Sequence, residues 1–207
     1  MRAKENNPTE KQACFFLTFN TVDWVDIFIR PVYKQIVVHT LNHFITQKGL
    51  TVFSWCLMTN HLHLLMQLRE NCGLAEIEKE FKTFTTSKIL QAMDTEPDTR
   101  RIWMMERFEN FGNVLGFIKR FHIWQTCSNP VYMDLAKKDI ILDMAEYIHN
   151  NPVRDRIVDT ACDYLYSSAR DYSGMSGLVN VTKLPFIEQQ IFSGDATGNF
   201  FGKFIRN

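Results

Sequence analysis

Two imidazoles, a phenol and a carboxamide are the side chains in this 207-residue sequence whose types and spacing could do chemistry together. His61 and His63 flank Leu62 in the run Met58-Thr59-Asn60-His61-Leu62-His63-Leu64-Leu65-Met66. Alternate side chains of a strand point to opposite faces. The two imidazoles therefore project together, while Leu62, Leu64 and Met66 point into an apolar layer. Such a pair can hold a divalent metal once a third ligand arrives from elsewhere. Spacing alone also fits the polar face of an ordinary amphipathic strand. The second segment is Tyr147-Ile148-His149-Asn150-Asn151-Pro152-Val153-Arg154. Tyr147 and Asn151 stand four residues apart and share one helix face. A metal taken by His61, His63 and the Asn151 side-chain oxygen would keep positions open for a phosphate, with Tyr147 one turn away as a nucleophile. Imidazole, carbonyl and phosphate ligands together suit Mg²⁺ or Mn²⁺. The plainer alternative gives Tyr147 to the core and Asn151 to the helix end.

The surrounding elements must bring these groups together. Residues 1–12 read as a mobile leader, and Cys14–Asn20 as a first strand rich in aromatic and β-favouring residues. Pro31 suits the first turn of a helix over 32–46, which Lys48-Gly49 ends. Strands follow over 50–58 and 62–68, joined at Thr59-Asn60. A second helix runs from Gly73 to about Met93, and Thr95–Arg101 reads as a loop. The aromatic and basic stretch from Arg101 to Gln125 is expected to hold a fourth strand near its end. A third helix, N-capped by Asp134, runs to Asn150 and is stopped by Pro152. The order β-α-β-β-α-β-(α) predicts an α+β fold, a ferredoxin-like or RRM-like antiparallel sheet with helices on one face. The domain expected to carry the chemistry spans 13–172, and 173–207 forms a C-terminal extension whose composition assigns it no role.

Composition sets outer limits. Lys plus Arg equals Asp plus Glu at 23 each, so net charge is zero and the basic excess common among nucleic-acid binders is missing. A local basic stripe remains compatible with that total. The 45% hydrophobic content and 17 Phe describe a packed globular chain. No apolar run is long enough to cross a bilayer and no signal peptide precedes the first strand, which predicts a cytoplasmic protein. Five scattered cysteines without a C-x-x-C pair argue against a disulfide framework or a Cys-rich zinc site.

Three phrases occur here in order: Met58-Thr59-Asn60-His61-Leu62-His63-Leu64-Leu65, Tyr147-Ile148-His149-Asn150-Asn151-Pro152-Val153-Arg154, and Tyr164-Leu165-Tyr166-Ser167-Ser168-Ala169-Arg170-Asp171-Tyr172. Together they resemble the REP-associated tyrosine transposases, members of the wider His-hydrophobic-His, single-tyrosine superfamily of bacterial insertion sequences. The resemblance covers about Cys14 to Tyr172. It implies a ferredoxin-like core, a divalent metal, a single-stranded or hairpin DNA partner and a bacterial cytoplasm, with the protein at the nucleoid when bound to DNA. By position, His61 and His63 match the metal-binding pair, Tyr147 the catalytic tyrosine, and Asn151 the polar residue that completes the metal site. The resemblance also implies a 5′-phosphotyrosine intermediate. Some relatives are homodimers that exchange the tyrosine helix, and others act as monomers. Thr126-Cys127-Ser128-Asn129-Pro130 stands where many relatives continue with a more basic, aromatic stretch.

The residues offered for DNA contact are Lys79, Lys82, Lys88, Lys119, Arg120 and Arg154, with Trp103 and Trp124 as stacking surfaces for unpaired bases. Scattered lysines serve equally as a solvated helix face, and tryptophans as core. Two functions from different classes follow: an enzyme that nicks and rejoins single-stranded DNA, and a catalytically silent protein that binds DNA hairpins. A metal-dependent hydrolase of small molecules gives Tyr147 no role and lacks a water-activating carboxylate beside the histidines.

Overall fold

The computed structural model describes residues 13–69, 73–114 and 121–187. Four strands, β1 (Ala13–Asn20), β2 (Leu50–Leu57), β3 (His61–Leu68) and β4 (Val131–Asp134), form one antiparallel sheet in the order β2-β3-β1-β4. With helices α1 (Pro31–Gln47), α2 (Leu74–Thr95), α3 (Arg101–Val114) and α4 (Lys138–Arg154), this is the expected ferredoxin-like arrangement with one helix added. Pro31 opens α1 and Gly49, at φ +71°, lets the chain reverse into β2. Among the described residues, no helix is long and apolar enough to cross a membrane.

Three expectations are corrected. The stretch after Arg101 is a helix, α3, and the fourth strand lies later, at 131–134. Trp124 makes only a single bridge to Thr21. Met104 and Phe108, four residues apart, are completely buried there on a helical period. Asp134 ends β4 and accepts from the Ala136 N–H at 2.9 Å, so it caps a turn, and α4 starts at Lys138. Pro152 lies inside the last turn of α4, which continues to Arg154. A proline there removes only one donor near a helix end, where the ladder is already running out.

The helices also cover both faces, not one. Leu17 and Phe19 of β1 and Leu62, Leu64 and Met66 of β3 meet α1 and α2, with the Phe19 ring stacked on Phe81 at 5.3 Å and Phe44 edge-on to Phe81 at 5.7 Å. The opposite face carries Phe16, Thr18 and Asn20 of β1 against Leu65, His63 and His61 of β3. There α4 packs, burying Ile141, Ala145 and Ile148. On β2 the side chains facing α4 are the small Ser54 and Cys56, which let the helix approach closely.

The third motif protects the outer edge of β2. Leu57 N–H donates to the Tyr166 carbonyl at 2.9 Å and Ser168 N–H to that of Trp55 at 3.0 Å, on either side of a Cys56–Ser167 bridge. Tyr164 donates its hydroxyl to the Leu57 carbonyl and accepts from Lys34 Nζ at 3.0 Å. Further along, Tyr172 donates to the Phe53 carbonyl at 3.1 Å, and Thr182 N–H to that of Val52 at 2.8 Å. An edge strand otherwise presents these groups to other chains. Leu184 and Ile187 of the C-terminal extension pack on the core. The leader and residues 188–207 lie outside the described residues.

Candidate active site

His61 and His63 start β3 and point to the face covered by α4, their rings 4.7 Å apart. Each is oriented from behind through Nδ1. Thr18 Oγ1, across the sheet, lies 2.8 Å from Nδ1 of His63, and Asn60 Oδ1 lies 2.8 Å from Nδ1 of His61. Asn60 is itself fixed, its Nδ2 donating to the Asp26 carboxylate at 3.1 Å. A ring held by a hydrogen bond at Nδ1 offers Nε2 to a ligand, the arrangement found behind metal-binding histidines.

The third group arrives from α4. Asn151 donates its side-chain N–H to the Tyr147 carbonyl at 2.9 Å, and its side chain lies close enough to both imidazoles to favour their protonated forms. With its nitrogen committed to Tyr147, its oxygen is the atom left for the histidines. Tyr147 stands one turn earlier on the same face. Its ring is 5.3 Å from that of His63 and 6.1 Å from Phe16, and the Arg154 guanidinium lies 5.2 Å over it. One chain therefore gathers all four groups, without a second copy to bring the phenol.

Burial, then the neighbouring His61, pushes the His63 imidazole down to about 3. Burial also lowers His61, against the opposing pull of Asp155 and Asn151. Both rings are neutral at physiological pH, the form that ligates metal. Two neutral imidazoles and one carboxamide oxygen fit a divalent ion that accepts mixed nitrogen and oxygen donors, as Mn²⁺ and Mg²⁺ do. Among the described residues, no cluster of three or more His, Cys, Asp or Glu offers another such site. His149 is no part of the cluster. It is buried, 2.9 Å from the Ser168 hydroxyl and packed on Tyr172, and burial pushes it down to about 3.

Beside the imidazoles lies an open cavity of about 500 Å³, lined by Thr18, Asn20 and residues 125–129. Asn20 pairs with His61 across the strands, and its Oδ1 is buried without a hydrogen-bond partner.

The proposed DNA contacts are dispersed. Arg154 adjoins Tyr147, as described. Lys82 reaches the sheet edge beside the cavity, donating to the Thr126 carbonyl at 2.9 Å and lying 3.8 Å from Glu78. Lys79 and Lys88 are on α2, across the sheet from the histidines. Lys119 and Arg120 lie outside the described residues. Trp103 is exposed, but Trp124 is core, 2% exposed and donating to Thr85 Oγ1 at 2.7 Å, so it cannot stack a base. Sequence reasoning missed Thr18, Asn60 and Asp26 as supports. Only Asn60, next to His61, carried a signal, since the others depend on strand register and a loop contact.

Comparison with known proteins agrees with this architecture. Residues 23–110 match the family described as IS200-like transposase, a span that includes His61 and His63 and stops before Tyr147. The chain has the fold of a REP-associated tyrosine transposase solved bound to a REP hairpin, with 17% identity, a TM-score of 0.55, and 87% of this chain and 92% of that one covered. A chain described as a transposase of Deinococcus radiodurans R1 aligns at 14% identity and TM-score 0.42, over 72% of this chain and 98% of its own. No curated protein sequence matches. The protein resembles the REP-associated tyrosine transposases in motif order and in fold, and its residues 23–110 are similar to the IS200-like transposase family.

Proposed function

We propose that the protein is a metal-dependent enzyme that nicks single-stranded DNA and transfers the strand through a 5′-phosphotyrosine, acting at hairpin or palindromic DNA. The observation that carries this reading is the Tyr147 ring 5.3 Å from that of His63, on the helix turn whose Asn151 donates back to the Tyr147 carbonyl. His61, His63 and Asn151 would hold Mg²⁺ or Mn²⁺, which supplies Lewis-acid polarisation of a phosphate. The hairpin partner is supported by the fold relative solved with a REP hairpin.

Tyr147 is the nucleophile. Its oxygen bonds to phosphorus while the bond to the 3′ oxygen breaks, and the proton lost by the phenol balances the one gained by the leaving hydroxyl. The phosphodiester energy is kept in the tyrosyl ester, so a second hydroxyl can reverse the step on another strand. Arg154, above the phenol ring, is placed to pair with the entering phosphate. His149 is excluded as the base by its burial and its contact with Ser168.

The test is a labelled hairpin with a single-stranded flank, incubated with Mn²⁺ and run on a denaturing gel. The wild-type chain is expected to form a protein–DNA adduct, and Tyr147→Phe to bind the hairpin without forming one. Hairpin binding with no wild-type adduct, unaffected by metal, would leave the binding-only reading in its place.

A further inference from the structure

Trp24 is 56% exposed, yet it is held firmly, immediately beside the histidines. Its ring is 6.4 Å from that of His61, edge to face. Asp23 and Trp24 both adopt left-handed backbone, at φ +49° and +55°, a conformation disfavoured for residues with a Cβ. The turn is pinned on either side by the fully buried Val22 and the nearly buried Val25, whose N–H donates to the Val22 carbonyl at 3.1 Å. Asn60 ties it to the site, since its Oδ1 orients His61 while its Nδ2 reaches the Trp24 carbonyl at 3.5 Å and Asp26 at 3.1 Å. A large apolar side chain is thus turned outward from an anchored turn when inward packing would have hidden it.

The surface continues away from the histidines. Arg107 of α3 lies 3.6 Å from the Asp23 carboxylate and 6.0 Å over the ring of Trp103, which is 47% exposed. Two open indoles, one following Asp23 in the chain and one under Arg107, match the chemistry of unpaired bases, whose π-faces stack on aromatic rings irrespective of sequence. The cation there is matched by a carboxylate. Stacking, and not phosphate neutralisation, is what this surface offers.

We infer that Trp24 is a stacking platform for an unpaired base next to the phosphate bound at the histidines, and that Trp103 extends the same track for single-stranded DNA. The inference rests on the reading of the site as one that binds single-stranded DNA, but not on cleavage. It separates two parts of the substrate. The duplex stem of a hairpin does not need the platform, whereas a single-stranded flank does.

The test compares a blunt DNA hairpin with the same hairpin carrying single-stranded extensions on its 5′ or 3′ side, titrated into the full-length protein by fluorescence anisotropy. An extension on one side is expected to tighten binding, with little dependence of that gain on salt. Trp24→Ala should weaken binding of the extended hairpin about 5- to 100-fold, the range of one lost base stack, and leave the blunt hairpin unchanged. Trp24→Phe should restore most of the gain. An abasic site at the flanking nucleotide should remove it in the unaltered protein, which tests the platform without any substitution. An equal loss on both hairpins, or no effect of the abasic site, overturns the inference. Adduct formation with no Trp24 effect sinks the platform alone. A Trp24-dependent gain without an adduct keeps the platform and sinks the cleavage reading.

Discussion

Asn151 gives its amide nitrogen to the carbonyl of Tyr147, 2.9 Å away, which leaves its oxygen free to turn toward the neighbouring imidazoles of β3. One carboxamide thereby ties the last turn of the helix that carries the phenol, and in the proposed site it would complete the donor set. Replacing Asn151 with Ala is expected to weaken Mn²⁺ binding at least ~10-fold, read by calorimetry or by the Mn²⁺ electron-spin signal. Asn151→Asp keeps an oxygen donor and should retain binding. The fold should lose only about 1 kcal/mol with the helix-end hydrogen bond. Unchanged Mn²⁺ affinity in the alanine variant would remove Asn151 from the metal set.

Behind the imidazoles, Thr18 and Asn60 set which ring nitrogen faces inward. Thr18→Val keeps the shape of the side chain while deleting its hydroxyl, and Asn60→Ala deletes the partner of His61. Each should lower Mn²⁺ affinity by roughly 10- to 100-fold without contacting the ion. If the affinities stay at the parental value, the histidines are oriented by packing and not by these hydrogen bonds.

The sequence made the histidine pair and the tyrosine helix legible because their signals are local. A two-residue period places His61 and His63 on one face, and a four-residue step places Tyr147 above Asn151. The order of strands followed from the alternation of β and α patterns. What it obscured depends on distant contacts. The stretch after Arg101 looks strand-like in its aromatics, yet Met104 and Phe108 bury on a helical period that exposed Ile102 and Trp103 disguise. Trp24 gave no cue at all, since its exposure comes from a left-handed turn that only the packing of Val22 and Val25 enforces. Pro152 signalled a helix end that the last turn absorbed.

Acid should unfold the protein through its buried histidines. His63 and His149 are pushed down to about 3 in the folded chain, against an ordinary value near ~6.5 when unfolded. Between these values the unfolded chain binds protons that the folded one refuses. Stability is therefore full above pH ~6.5 and falls as pH drops toward ~3, by on the order of several kcal/mol for each fully buried ring. His149→Gln should flatten this acid limb, measured as the midpoint of urea unfolding between pH 7 and 4. A slope identical to that of the parent would mean that His149 becomes protonated in place.

The edge of β2 should be the point where the protein fails when its cover is removed. Tyr172 accepts from the Leu184 N–H at 3.0 Å and donates to the Phe53 carbonyl at 3.1 Å, so it joins the last packed segment to the sheet. Tyr172→Phe deletes that oxygen and leaves the buried Phe53 carbonyl and the part-buried Leu184 N–H with one partner fewer, which should cost about 1–3 kcal/mol in chemical unfolding. The oligomeric state should remain that of the parent, because the Tyr166 and Ser168 bonds to β2 persist. Ending the chain at Asp163 removes those as well and bares the groups of Trp55 and Leu57 to other molecules. An unpaired, apolar edge pairs with its own kind, so this truncation is expected to elute as large aggregates in size-exclusion chromatography. A truncated chain that elutes at its own mass with a native unfolding transition would show that the third motif is not needed to guard the sheet, and its role would then have to be sought at the site itself.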